Sequence, residues 1–538
     1  MENNKIPMST KTATLIKNGE GDYIFGKGKR YIVPEYQRSY SWGEDELEDF
    51  AESVKRAASG EYVFMGTVQF AKRSGAPGDY SIIDGQQRMT TFLLFCRALE
   101  EKSGADILKS NGMELEIRNF NANNEKLKEA LTGAEGVNNR YAENLKYLRK
   151  FVNENDIDSD SVFRNLYFVE LTTTDMPLPD VVGIFDTINT TGLELDCADL
   201  FKLQYYEYLR ERKNEDRMAD ICALYDEMDK KGVGMHWVLD IYKHYIAAKN
   251  GLGFDKISMS NEKFFDDVFN KTSLNDSGVL EFAEFKRVAG LYEKHKGLIA
   301  ESVGGFSENI IWMTRYGMYW TFPYVSLSLG SGYRSALDAS LSAVRYLIIN
   351  SVIHAKRVNA VCTFICNEVL PRLGNADEVK RITDEKIADI YEDDKEKFKY
   401  ILGHGLKDNN KRAVLICTLS ALIEEMSAGT TAADIKNRLF DSGKLKYDIE
   451  HIKAWENVID YKDEFSGIGN LVVLESGINR SVKDKKVSEK LKSYEKSRFV
   501  SVKNVSEQAR AAGKWEIDEV RTRANEQIRK ISEFLGIA

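Results

Sequence analysis

Residues 80–95 read YSIIDGQQRMTTFLLF. Ser81-Ile82-Ile83 is a short apolar run with strand character, and Asp84-Gly85 breaks it with a turn pair. From Arg88 onward the apolar positions Met89, Phe92, Leu93 and Phe95 take helical spacing. A strand that turns at Asp-Gly into a helix leaves backbone N–H groups at the helix start, where the positive end of the dipole suits a phosphate. Arg88 adds a planar cation with five donors, and Gln86 and Gln87 add neutral donors and acceptors. On spacing alone, a surface strand–turn–helix with Asp84 as a simple cap explains the stretch equally well.

The surrounding sequence adds two further blocks. IVPEYQRSYSW spans 32–42 and FMGTV spans 64–68, both upstream of IIDGQQRMTTF. Pro34 fixes an extended approach to Gln37 and Arg38. Tyr36, Tyr40 and Trp42 are either core aromatics or a base-stacking rim, with core the usual role. Taken in order, the three blocks resemble the N-terminal domain of the GmrSD-type modification-dependent (type IV) restriction endonucleases and their relatives SspE and BrxU. The resemblance implies a variant of the ParB nucleotide-binding fold, in which such a box clasps an NTP phosphate. Carried onto this chain, the site is Gln37, Arg38, Asp84, Gly85, Gln86, Gln87 and Arg88. A second block of the family is matched by FDTINTTGLEL at 185–195 followed by DLFK at 199–202. It adds Asn189, Gly192, Asp199 and Lys202 as neighbours of the nucleotide, although a structural loop and cap explains each residue singly.

A second polar cluster lies near the C-terminus. Tyr447-Asp448-Ile449-Glu450-His451-Ile452 reads as a strand and Asn470–Leu474 as another, with a turn and then a helix from about Ser481. The chain has six histidines, and the other five stand without metal-like spacing. His451 precedes Asn470 by 19 residues, and Asn470 precedes Asn479 by 9. This ββα order resembles an HNH (His-Me finger, ββα-metal) nuclease. The resemblance implies His451 as general base, Glu450 and Asn479 as ligands of a single Mg²⁺ or Mn²⁺, and Asn470 as the residue pinning the loop that carries the base. The chemistry needs these types: neutral imidazole takes a proton from attacking water, and a hard cation stabilises the leaving oxygen. From the local residues alone, His451 reads as an ordinary strand histidine. The wider context favours the nuclease. Residues 480–499 carry eight Lys/Arg against three acids, which suits a phosphate backbone. Trp515-Glu516-Ile517 and Arg521–Arg523 resemble the family's closing helix. Relatives often carry a proline shortly after Glu-His, whereas Lys453-Ala454-Trp455 follows here.

Bulk properties bound the rest. A chain of 538 residues with 43% apolar and 30% charged content is an ordinary globular protein of roughly two to four domains. The expected architecture is multi-domain α+β: a ParB-like α/β domain over 1–205, a mostly helical connector over 206–430 and a nuclease domain over 431–538. Residues 1–20 read as polar and frayed, and 100–180 as helical. Seven prolines suit a helix-rich chain, and Cys362 and Cys366 read as helix core, not a metal or disulfide pair. Arg345, Lys356 and Arg357 read as a solvated helix face. A net charge of −9 excludes a uniformly basic nucleic-acid coat but leaves room for a local basic groove. Without a signal segment or an uninterrupted apolar span, the expectation is a cytoplasmic protein with no membrane partner. The expected partners are double-stranded DNA, in particular modified phage DNA, and a nucleoside triphosphate; the relatives favour GTP, and a homo-oligomer is open. The preferred reading is an NTP-regulated, metal-dependent endonuclease with associated NTPase activity. The alternative is an NTP-switched DNA-binding or sensing protein with an inactive nuclease fold.

Overall fold

The computed structural model describes residues 8–17, 21–34, 37, 39–72, 74–118, 123–133, 139–176, 181, 197–211, 217–270, 281–296, 320–354, 358–406, 410–441 and 444–537. The chain is mixed α+β and divides into two compact units. One is Met1–Met235 with Val268–Thr272, and the other is His236–Asp267 with Ser273–Ala538.

The first unit is built on a six-stranded mixed sheet: β1 (Met8–Thr14), β2 (Arg30–Val33), β3 (Val63–Lys72), β4 (Asp79–Asp84), β5 (Leu115–Ile117) and β6 (Leu166–Thr174). Their order across the sheet is β1-β6-β3-β4-β2-β5. β3 and β4 form an antiparallel hairpin, β6 runs parallel to β3, and β2 runs parallel to both β4 and β5. Helix α1 (Glu44–Ala58) carries acids in its first turn and Lys55 and Arg56 in its last, which complements the helix dipole. Its buried stripe of Leu47, Phe50, Ala51, Val54 and Ala57 sets Phe50 against Phe92 and Phe95 of helix α2 (Gln86–Ser103), at ring-centroid distances of 4.8 and 5.7 Å. Helix α3 (Arg140–Glu154) packs on α2.

Two sequence expectations change here. Residues 8–14 are not frayed but form β1, paired along its length with β6. Residues 100–180 are not only helical, because β6 is an inner strand between β1 and β3. Its sequence, LYFVELTTT, is rich in aromatic and β-branched residues, which suit a pleated buried surface.

The second unit is mostly helical. Its long helices include α4 (Tyr333–Ile353) and α5 (Ala376–His404), which pack along one another. By length and composition α4 is apolar enough to cross a membrane, yet most of that apolar stretch is buried inside the protein. Arg345 on α4 is half-buried, with its guanidinium 5.6 Å from the centroid of the Phe534 ring, so it is not a solvated cation. Lys356 and Arg357 lie outside the described residues. Cys362 and Cys366 are buried in a helical run.

The polar end of this unit is the antiparallel pair β7 (Tyr447–His451) and β8 (Leu471–Glu475), then α6 (Ser476–Val482), α7 (Val487–Tyr494), α8 (Val500–Ala512) and α9 (Ile517–Leu535). The helix after β8 starts at Ser476, not near Ser481. The Gly477-Ile478-Asn479 segment read as a turn is the first part of α6, which ends where Lys483 takes a positive φ of 40°.

Candidate functional site

In the first unit the sequence motifs meet through hydrogen bonds. Gly85 caps α2 with φ 90°, a backbone state that glycine adopts without strain, and no side chain caps the helix. Arg88 then reaches back one turn: Nη2 donates to Asp84 Oδ2 at 3.1 Å and Nη1 to the Met65 carbonyl at 2.9 Å. Gly66, at φ 94°, is what lets that arm pass, since a Cβ there would lie 2.1 Å from Arg88 Nη1. FMGTV and DGQQR are thereby one structural device.

The glutamines hold the 37–42 segment in place. The Gln87 side chain accepts from the Ser41 and Trp42 N–H groups at 2.9 and 3.3 Å and donates to the Ser39 carbonyl at 2.9 Å. Gln37 donates to the Ile83 carbonyl at 2.9 Å, and the buried Lys202 Nζ donates to the Gln37 carbonyl at 3.3 Å. Gln86 is buried. Tyr40 is core: it stacks on Tyr141 at 5.1 Å and bonds Thr91 and Asn144. Trp42 is partly buried against the same core. The structure thus brings together Gln37, Asp84, Gly85, Gln86, Gln87, Arg88 and Lys202; Asp199 lies on the same helix as Lys202. Arg38, Asn189 and Gly192 lie outside the described residues. The chemistry of this arrangement fits an anion: the start of α2 has no side-chain cap, and the Arg88 side chain keeps 22% exposure and further N–H donors. Gln87 serves it indirectly, because its amide is occupied in shaping the loop.

In the second unit, His451 ends β7 opposite Leu471, and Glu450 pairs with Val472. Asn470, fully buried, ties down the loop that follows. Its Oδ1 accepts from Lys453 N–H at 2.8 Å and Trp515 Nε1 at 3.3 Å; its Nδ2 donates to the Lys453 and Phe465 carbonyls, both at 3.0 Å. The loop is packed against its neighbours through glycines. A Cβ on Gly467 would fall 1.7 Å from the Gly403 carbonyl oxygen, and one on Gly469 would fall 2.2 Å from that of Val520. The His451 ring is half-buried and makes no hydrogen bond among the described residues. Burial, and secondarily the Lys490 ammonium, lowers its pKa from the ordinary histidine value, which keeps the imidazole neutral.

The carboxylates differ in their surroundings. Glu450 is buried, and its Oε1 receives Lys490 Nζ at 2.6 Å and Tyr494 Oη at 3.0 Å. Burial pushes this carboxyl up against the pull of those two donors. Asp448 is half-buried, with Oδ2 3.3 Å from Asn479 Nδ2. Among the described residues no three His, Cys, Asp or Glu side chains gather as a metal cage. A Mg²⁺-type ion does not require one, since it keeps several waters and takes one or two protein oxygens. The donor set here fits an ion of that kind.

Of the eight cations in 480–499, Lys490 is fully buried and the other seven are exposed. The sequence reading missed Lys490 and Tyr494 as partners of Glu450. Their spacing from Val487, at i+3 and i+7, is the signal that turns them inward on α7.

Comparison with known families follows the same division. Residues 22–206 match the family described as GmrSD restriction endonuclease, N-terminal domain. Residues 377–530 match GmrSD restriction endonucleases, C-terminal domain. The chain belongs to the GmrSD restriction endonuclease family. The two matches together span more than half of it and fall in the family's order, one containing the Asp84–Arg88 box and the other His451, Asn470 and Asn479. No curated protein matches the chain. Membership in a restriction endonuclease family makes DNA the substrate class and phosphodiester cleavage the activity class.

Proposed function

We propose that this GmrSD-family protein is an NTP-regulated, divalent-metal-dependent endonuclease of type IV restriction that cuts DNA carrying a base or backbone modification. On this reading the first unit contains a ParB-like nucleotide site and the second an HNH-type nuclease centre. The observation that carries the nuclease reading is the end of β7. A half-buried imidazole, its pKa lowered by burial, ends that strand just before a loop that Asn470 holds by three hydrogen bonds, close in sequence to seven exposed cations.

The chemistry follows from these residues. The unprotonated ring nitrogen of His451 accepts the proton of a water attacking the phosphodiester phosphorus. Asn470 pins the chain at Lys453, two residues beyond His451, and Lys490 holds the His451 carbonyl, so the base is already oriented when DNA arrives. The exposed Lys and Arg residues of 480–498 hold the DNA backbone without reading its sequence. When bound, the cation supplies positive charge to the leaving oxygen; Asn479 and a carboxylate of β7 would hold it. In the first unit, Arg88 and the start of α2 bind the NTP phosphates, and a coupling between the two sites lets nucleotide license cutting.

The test is a cleavage assay on modified phage DNA and its unmodified counterpart, with Mg²⁺ or Mn²⁺ and with or without each NTP. The reading expects cutting of the modified DNA only, abolished by chelation and changed in rate by one NTP and by Arg88→Ala. NTP turnover with no cutting of any substrate would instead favour an NTP-switched DNA-binding protein.

A further inference from the structure

We propose that Asp448 is the carboxylate that shares the divalent cation with Asn479, and that Glu450, although adjacent to His451 in sequence, is a structural anchor for Lys490. The proposal rests on the metal-dependent nuclease reading above and refines its metal site. A hard cation is held by oxygens whose lone pairs face an open position. Glu450 is already engaged. It is 5% exposed, and its Oε1 already accepts a charge-assisted bond from Lys490 at 2.6 Å and a second bond from Tyr494 at 3.0 Å.

Lys490 has no alternative place to go. Its side chain is 0% exposed, and its other donation, 2.7 Å long, goes to the His451 carbonyl. Moving Glu450 onto a cation would leave a buried ammonium without its counter-charge, and a second positive charge would arrive beside it. The Glu450–Lys490 pair therefore acts elsewhere. It neutralises the interior under β7 and ties the backbone of His451 to α7.

Asp448 is the more accessible of the two carboxylates. It lies two residues earlier, so the pleat puts it on the same face of β7, toward α6. It is half-buried, and Asn479 Nδ2 donates to its Oδ2 at 3.3 Å, a long contact for such a bond. A half-turn of the Asn479 carboxamide replaces the NH₂ by Oδ1. The pair then presents two oxygens to one point, with water free to complete the shell.

The test is Mn²⁺ binding to the full chain without NTP, read from loss of the free-ion paramagnetic resonance signal, with thermal melting as the folding control. Asp448→Asn is expected to weaken Mn²⁺ binding at least tenfold and leave the melting temperature unchanged. The double variant Glu450→Gln/Lys490→Met removes both charges of the buried pair and is expected to bind Mn²⁺ within about twofold of wild type. Loss of binding in the double variant with retention in Asp448→Asn overturns the assignment. If wild type neither binds Mn²⁺ nor cuts DNA, the nuclease reading itself falls, and the assignment with it.

Discussion

Asn470→Ala is the perturbation whose cost the structure states most directly. The side chain is 0% exposed and its four hydrogen bonds end on Lys453 N–H, Lys453 C=O, Phe465 C=O and Trp515 Nε1. Phe465 and Trp515 are each 2% exposed, so their polar groups remain buried after truncation. An unsatisfied buried group costs about 1–3 kcal/mol, and the Lys453 groups regain water more easily. The expected loss is therefore about 3–5 kcal/mol, at the upper end for a single substitution. In a unit of this size that lowers the melting temperature by roughly 10 °C. Asn470→Asp is expected to do little better, because it keeps the acceptor but turns a second oxygen toward two carbonyls. The assay is thermal or urea unfolding of both variants, with amide exchange at Lys453 as the local probe. Unfolding within about 1 kcal/mol of wild type, with Lys453 still protected, would refute the claim that Asn470 holds this loop.

Three further expectations follow from single contacts. Gly66→Ala places a Cβ 2.1 Å from Arg88 Nη1 at a φ of 94°, so Arg88 loses the Met65 carbonyl; the variant should lose about 2 kcal/mol of stability and bind NTP more weakly, measured by calorimetry. Gly467→Ala meets the Gly403 carbonyl at 1.7 Å and must break the 2.8 Å bond from Ile468 N–H to Leu402, which should cost about 3 kcal/mol in urea unfolding. His244 is buried beside Thr321 Oγ1 at 2.9 Å and its pKa is pushed down by burial to about 3. The unfolded chain therefore takes up the proton first, and stability falls as pH drops below about 6.5. From pH 7.5 to 5 the loss should be about 2 kcal/mol, and it should be absent in His244→Gln if the imidazole is its source.

How much of this was legible depended on whether local residues decide the outcome. Helix α1 runs over 44–58 as its acidic start, basic end and apolar stripe predict, because capping and amphipathicity are written within one segment. The strand–turn–helix at 80–95 was equally readable, although α2 begins at Gln86, two residues earlier than Arg88, since Gly85 at positive φ lets it. β1 and β6 were missed for the opposite reason. Met8–Thr14 is short and polar, and only pairing with Thr173–Tyr167, far along the chain, makes it a strand. The two carboxylates of β7 show the same limit at the site. Asp448 and Glu450 alternate alike along the strand, and only the burial of Lys490 and Tyr494 on α7 distinguishes their roles. Glycines such as Gly66 and Gly467 were unremarkable in sequence, because what they accommodate is a distant backbone or side chain.

The central claim is that His451 is the general base of a nuclease, and its direct measurement is cleavage of modified DNA in Mn²⁺ by wild type and His451→Ala across pH. The account predicts that the variant, folded and still binding DNA, cuts at background rate. It also predicts that the acid limb of the wild-type profile lies below the ordinary histidine value, because burial and Lys490 lower the His451 pKa. Cutting at the wild-type rate by His451→Ala would contradict the account.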